Sequence, residues 1–136
     1  QDCFYVNHPD FELFLLRFGR EDGQVVEAFH GPDWYTNEQY TGSASFHHPE
    51  GWDAFLGHYR AHNPWYSNFR VVLRNGSLVL IHPSGEEDML VDLGDGLFRV
   101  GKDDRLPERI RFGAVINNKA HRADLSGIEF CRTFTR

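Results

Sequence analysis

Apolar and polar positions alternate along much of this chain in short bursts, each closed by turn residues. In "FRVVLR" (69–74), Phe69, Val71 and Leu73 fall on one face of an extended segment, and Arg70, Val72 and Arg74 fall on the other, because successive strand side chains point to opposite sides. Asn75-Gly76 follows, a dipeptide suited to the positive φ angles of a two-residue hairpin turn, and "SLVLIHP" reads as the return strand. The same logic joins "EDMLVDL" to "LFRVG" through Asp95-Gly96. In "ERIRFGAVI", Ile110, Phe112, Ala114 and Ile116 share a face opposite Arg109, Arg111 and Gly113, and Asn117-Asn118 then turns the chain. "HRADLSG" and "IEFCRTF" supply two final strands, with Gly127 expected as a bulge or bend between them.

Nearer the start, "FELFLLRFG" (11–19), "REDG" and "QVVEAFHG" form an apolar run, a turn and a second run, which is a hairpin signature. From Pro32 to Gly51 the alternation is lost, and Pro, Gly, Ser, Thr and Asn accumulate in a long connection or strap. "PEGWDAFLGHY" holds a turn of helix at most. Strands recurring every 8 to 12 residues predict an all-β fold, an antiparallel barrel of about eight strands or a sandwich. The organisation expected is one domain over 1–136: a first hairpin region at 1–31, the strap at 32–56 and antiparallel barrel hairpins at 57–136. A length of 136 residues suits one domain with a substantial core.

Composition sharpens this picture. Twelve Phe, five Tyr and three Trp against one Met weight the core towards aromatic packing. The formal charge of −6 is spread over mixed signs with no basic run, so DNA and RNA are not expected partners. No apolar run approaches the roughly 18 residues that span a bilayer, and residues 1–10 lack the basic and apolar regions of a signal peptide. A soluble chain is therefore expected, its Gln1 reading as the edge of a mature or excised form, and the compartment stays open. Cys3 and Cys131 lie near opposite ends of the sequence, which a closed barrel can bring together. A disulfide and two unpaired, buried thiols both fit, and the unpaired reading is preferred.

The catalytic chemistries tried against the sequence find little footing. No serine has a lysine three residues later, so the Ser-x-x-Lys of penicillin-recognising hydrolases is missing, and neither a Gly-x-Ser-x-Gly elbow nor a Gly-rich phosphate loop occurs. Tyr66-Ser67-Asn68 matches a Tyr-x-Asn element, but without a nucleophile it carries no activity. His58 and His62 have metal-clasping helical spacing, yet Pro64 disfavours a continuing helix and no third ligand is evident, so no metal site is assigned. Glu86-Glu87-Asp88 and Asp103-Asp104 read as solvated turns, and His82 as a rim residue. Arg99, Arg109, Arg111 and Arg132 are expected to coat the barrel exterior rather than line an anion pocket. No cofactor is implied. Arg60, Trp65, Tyr66 and Phe69 concentrate the residue types favoured at interfaces where the strap gives way to the first strong hairpin, and they are the candidate interaction or ligand residues. Phe69 is equally well placed for the core.

The stretch "GHYRAHNPWYSNFRVVLRNGSLVLI" (57–81), with Gly57-x-Tyr59-Arg60, Asn63-Pro64-Trp65, Gly94-Asp95-Gly96-x-Phe98-Arg99-Val100-Gly101, Pro107-Glu108-Arg109 and Arg132-Thr133-Phe134, carries a further signal. Over roughly residues 50–136 it resembles the C-terminal lipocalin-like accessory domain of β-lactamase-related (class C, CubicO-type) serine hydrolases. The resemblance implies an antiparallel barrel that follows a catalytic domain. That catalytic domain, with its Ser-x-x-Lys, is not in these residues, so hydrolase activity does not transfer to them. The function expected is a non-catalytic accessory module that packs on, gates or helps assemble a β-lactamase-like catalytic domain, in cis or in an oligomer. The alternative is a stand-alone lipocalin-like carrier of a small apolar ligand.

Overall fold

A computed structural model describes residues 3–8 and 13–133. The beginning of the "FELFLLRFG" run and Phe134 lie outside the described residues. Where the sequence suggested one domain throughout, the chain divides into two compact units, Gln1–Phe46 and His47–Arg136.

The first unit is a four-stranded antiparallel sheet of β1 (Cys3–Phe4), β2 (Leu16–Glu21), β3 (Gln24–His30) and β4 (Asp33–Thr36), in that order. Asp22 and Gly23, both at positive φ, make the expected hairpin turn between β2 and β3. β4 is a departure from the expected strap. Its Trp34 lies opposite Phe29 and donates from Nε1 to Glu27 Oε1 at 3.0 Å, while Tyr40 and Phe46 pack edge-on against the indole. The indole of Trp34 gains enough from these contacts to outweigh the local turn-forming composition.

The second unit is a closed, eight-stranded antiparallel barrel, so the protein is all-β and lipocalin-like in architecture. A short 3-10 helix (Trp52–Phe55) leads into β5 (Gly57–Arg60), β6 (Asn68–Arg74), β7 (Ser77–Ile81), β8 (Glu87–Gly94), β9 (Leu97–Val100), β10 (Arg109–Ile116), β11 (Lys119–Leu125) and β12 (Ile128–Thr133). Each strand pairs with the next, and β12 returns to β5 through Cys131↔Arg60 and Thr133↔His58, which leaves no open edge. Asn75-Gly76, Asp95-Gly96 and Asn117-Asn118 all take positive φ and turn the chain where the sequence indicated. Of the bulge or bend expected at Gly127, the bend is what forms: with Ser126, also at positive φ, it makes a tight turn between β11 and β12. The ladder irregularity falls instead on β8, between Asp92 and Gly94.

Aromatic side chains fill the barrel. Tyr59, Phe69, Phe98 and Phe130 are fully buried among Leu78, Leu80, Ile110 and Val71. Tyr59 stacks on Phe69 with ring centroids 5.3 Å apart, and Phe69 meets Phe130 edge-to-face at 4.9 Å. Such pairs add about 0.5–1.5 kcal/mol each beyond the area they bury.

Strand direction gives the barrel two ends. The 3-10 helix closes the one that carries the turns at 75–76, 95–96 and 117–118. Phe55 stacks on Phe112 at 4.7 Å and Trp52 packs edge-on against Phe98. Arg132, expected on the exterior, reaches this closed end instead. Its Nε donates to Ala120 O at 2.6 Å, Nη1 to Leu56 O at 2.5 Å, and Nη2 to Ala54 O at 2.7 Å and to the Tyr59 hydroxyl at 3.0 Å. Burying a guanidinium here is tolerable because carbonyls of the 3-10 segment and of β11 need donors. Gly57 makes room: a Cβ there would fall on the Arg132 guanidinium. Cys3 and Cys131 are free and exposed, not buried as expected; Cys131 alternates with the buried Phe130 and so faces outward on β12.

Candidate functional site: the mouth of the barrel

The opposite end carries the connections 61–67, 82–86, 101–108 and 126–127. The first of them holds most of the residues singled out from sequence. Asn63 Oδ1 accepts from the backbone N–H of Trp65 at 2.9 Å and of Tyr66 at 3.3 Å, an Asx turn that a proline at position 64 stiffens further. This backbone presents Trp65 to solvent, 94% exposed. A hollow of about 430 Å³ lies against it, lined by Asn63, Pro64, Trp65, Ile128 and Glu129 among others.

Tyr66, the next residue, turns back into the barrel, where its ring meets Phe69 and Phe130. Its hydroxyl lies 2.6 Å from His82 Nδ1, and His82 Nε2 lies 2.9 Å from Asp88 Oδ2. Burial, then the carboxylates of Glu108 and Asp88, hold the Tyr66 phenol well above the ordinary tyrosine value. Tyr66 therefore keeps its proton and donates it to Nδ1, and the tautomer that satisfies both bonds has His82 Nε2–H donating to Asp88. A protonated phenol behind an imidazole and a carboxylate is a poor nucleophile. As a structural tie it fixes the 61–67 connection to the β7–β8 turn.

The four candidates thus separate. Trp65 and Tyr66 belong to one rigid element, Trp65 outside and Tyr66 inside. Arg60, at the end of β5, is exposed on the outer wall. Phe69, with no exposed surface, lies in the core, the other placement its alternation with Val71 allowed. His58 and His62 share no helix, since His58 sits on β5 and His62 follows it. Among the described residues, no group of three or more His, Cys, Asp or Glu is placed to hold a metal ion.

His82 and Asp88 are the members of this site that the sequence reading passed over. A usable signal existed for Asp88, which shares strand parity with the buried Leu90 and lies opposite Leu80, so it points to the interior side at the mouth rather than into a solvated run. For His82 no comparable signal existed, because its partners come from two other elements.

No protein-family model matches the chain, and neither a curated protein nor a solved structure does.

Proposed function

We propose that this protein is a non-catalytic β-barrel accessory module that packs on, gates or helps assemble a β-lactamase-like serine hydrolase domain. The sequence resemblance supplies the partner, and the observation that carries the docking role is Trp65. Exposing an indole to water has no benefit for the fold, and here the backbone is stiffened by Asn63, Pro64 and the Tyr66–His82–Asp88 tie so that the ring stays outside. A tryptophan held outside on a stiffened turn beside a shallow hollow has the anatomy of an interface hot spot, because little loop entropy is left to lose on binding. The carrier reading draws less support, since the four rings of Tyr59, Phe69, Phe98 and Phe130 occupy the interior such a ligand would need.

The test is calorimetric titration of this chain with a β-lactamase-like serine hydrolase domain from the same genome. Trp65→Ala should weaken association by roughly 2 kcal/mol, about thirtyfold, and leave the thermal midpoint of the barrel nearly unchanged. Normal binding by the variant, its unfolding, or no association by the unaltered protein would each refute the docking role.

A further inference from the structure

The seam that closes the barrel is shorter than the strand that makes it. Of the six residues in β12, only Cys131, Arg132 and Thr133 lie opposite β5, and the ladder stops at Cys131↔Arg60. Beyond Arg60 the chain leaves β12 and turns back along β6, where the Ala61 N–H donates to Ser67 O at 2.9 Å. Ile128, Glu129 and Phe130 continue towards the mouth with β11 on one side and no strand on the other.

In an antiparallel ladder the N–H and C=O of one residue point to the same neighbour, and successive residues alternate. The two-residue turn at Ser126-Gly127 makes Leu125↔Ile128 a bonded pair, so Ile128 and Phe130 bond to β11 while Glu129 and Cys131 face the other way. Cys131 meets Arg60 there. Glu129, whose counterpart in a longer seam would be His62, meets no backbone partner among the described residues. Its carboxylate is already paired with Arg122, so the backbone is what it offers.

This open side faces the hollow of about 430 Å³ beside Trp65, which Pro64, Ile128 and Glu129 also line. A second hollow, of about 440 Å³, adjoins it through Ala61 and His62 and follows β12 down to Thr133. Arg60 lines this second hollow, its guanidinium without a hydrogen-bond or ion-pair partner among the described residues. A backbone donor and acceptor thus lie between an apolar ring at the mouth and a free positive charge below it.

We propose that the partner adds an extended segment to β12 at this gap, antiparallel, exchanging both backbone bonds with Glu129, seating an apolar side chain against Trp65 and Ile128 and setting an acidic side chain on Arg60. Antiparallel addition is what lets the single residue Glu129 make both bonds with one opposite residue. In strand addition the main chain supplies affinity and the flanking side-chain sites supply selectivity. A carboxylate is the group a free guanidinium grips, through two parallel N–H···O bonds. Because β12 runs away from the mouth, the acidic residue precedes the apolar one in the segment. The proposal rests on docking at Trp65 and names how the partner is held there.

Amide hydrogen exchange and calorimetry, with the β-lactamase-like serine hydrolase domain as the probe, test it. In the free protein the Glu129 amide should exchange rapidly while that of Phe130 is protected, and in the complex Glu129 should slow about a hundredfold. Glu129→Pro removes this N–H where no ladder bond is lost, and it should bind about tenfold more weakly than Glu129→Thr, which keeps it. Arg60→Gln should weaken binding about threefold. A Glu129 amide already protected in the free chain, or still unprotected in the complex, would overturn the proposal. Equal binding by Glu129→Pro and Glu129→Thr, or undiminished binding by Arg60→Gln, would do the same. If Glu129→Pro does not fold, exchange at Glu129 decides. In each of these failures a loss in Trp65→Ala leaves docking standing, whereas no association by the unaltered protein removes docking and the added strand together.

Discussion

The two ends of the barrel use the same three residue types in opposite ways. At the closed end Arg132 donates to three backbone carbonyls and a hydroxyl, Trp52 packs on Phe98, and Tyr59 lies at the centre of the core with its hydroxyl donating to Phe55 O at 2.8 Å. At or near the mouth Arg60 has no partner among the described residues, Trp65 stands in water, and Tyr66 is spent on tying down a loop. Residue type therefore says little about role in this barrel. The deciding variable is which backbone groups need partners: around the 3-10 helix they are carbonyls, which a guanidinium can answer, whereas in the turn at Asn63 they are the N–H groups of Trp65 and Tyr66, which the Asn63 side chain answers.

That contrast can be broken most forcefully at Arg132. Arg132→Ala strands the carbonyls of Ala54, Leu56 and Ala120, and it should lower the free energy of unfolding by roughly 2–4 kcal/mol, read from the denaturant midpoint. Next in size is an alkaline effect at the same end. Burial, only partly offset by Arg132, pushes the Tyr59 phenol from an ordinary value of 10.0 to about 12. A phenol that ionises later in the folded state than in the unfolded one contributes stability in full below pH 10.0 and loses it as pH rises towards about 12. Thermal unfolding followed across that window should show the decline, and Tyr59→Phe should flatten part of it. The smaller effect belongs to the mouth, where Tyr66→Phe removes one bond from the tie to His82 and should cost about 1 kcal/mol in chemical unfolding. A loss at Tyr66 as large as that at Arg132 would show that the two ends are not built differently after all.

Local chemistry made the barrel readable from sequence. Asn75-Gly76, Asp95-Gly96 and Asn117-Asn118 announce their turns through the positive φ they tolerate, and period-two apolar patterns mark the strands between them. The division of the chain at Phe46 was not readable, because "DWYT" is short and its strand depends on a partner opposite Trp34. At the candidate site, exposure of Trp65 followed from its place after proline, and the Asn63 turn is a local device. The inward turn of Arg132 was hidden, since nothing in "CRTF" separates it from Arg99 or Arg109; its acceptors lie as far as 78 positions away. Long-range partners also concealed the Tyr66–His82–Asp88 tie.

The closure of β12 on β5 has a consequence for how the barrel forms in time. Most ladders join neighbours through turns of a few residues, and these hairpins can assemble within microseconds. The final seam joins Thr133 to His58, 75 positions apart, and cannot form until the intervening hairpins are curved into place. Contacts so distant in sequence slow folding, because the entropy of closing the loop is lost before the contact rewards it. The seam is thus the contact expected to close late, and Arg132, bonded across it to Leu56 O and the Tyr59 hydroxyl, ties it shut.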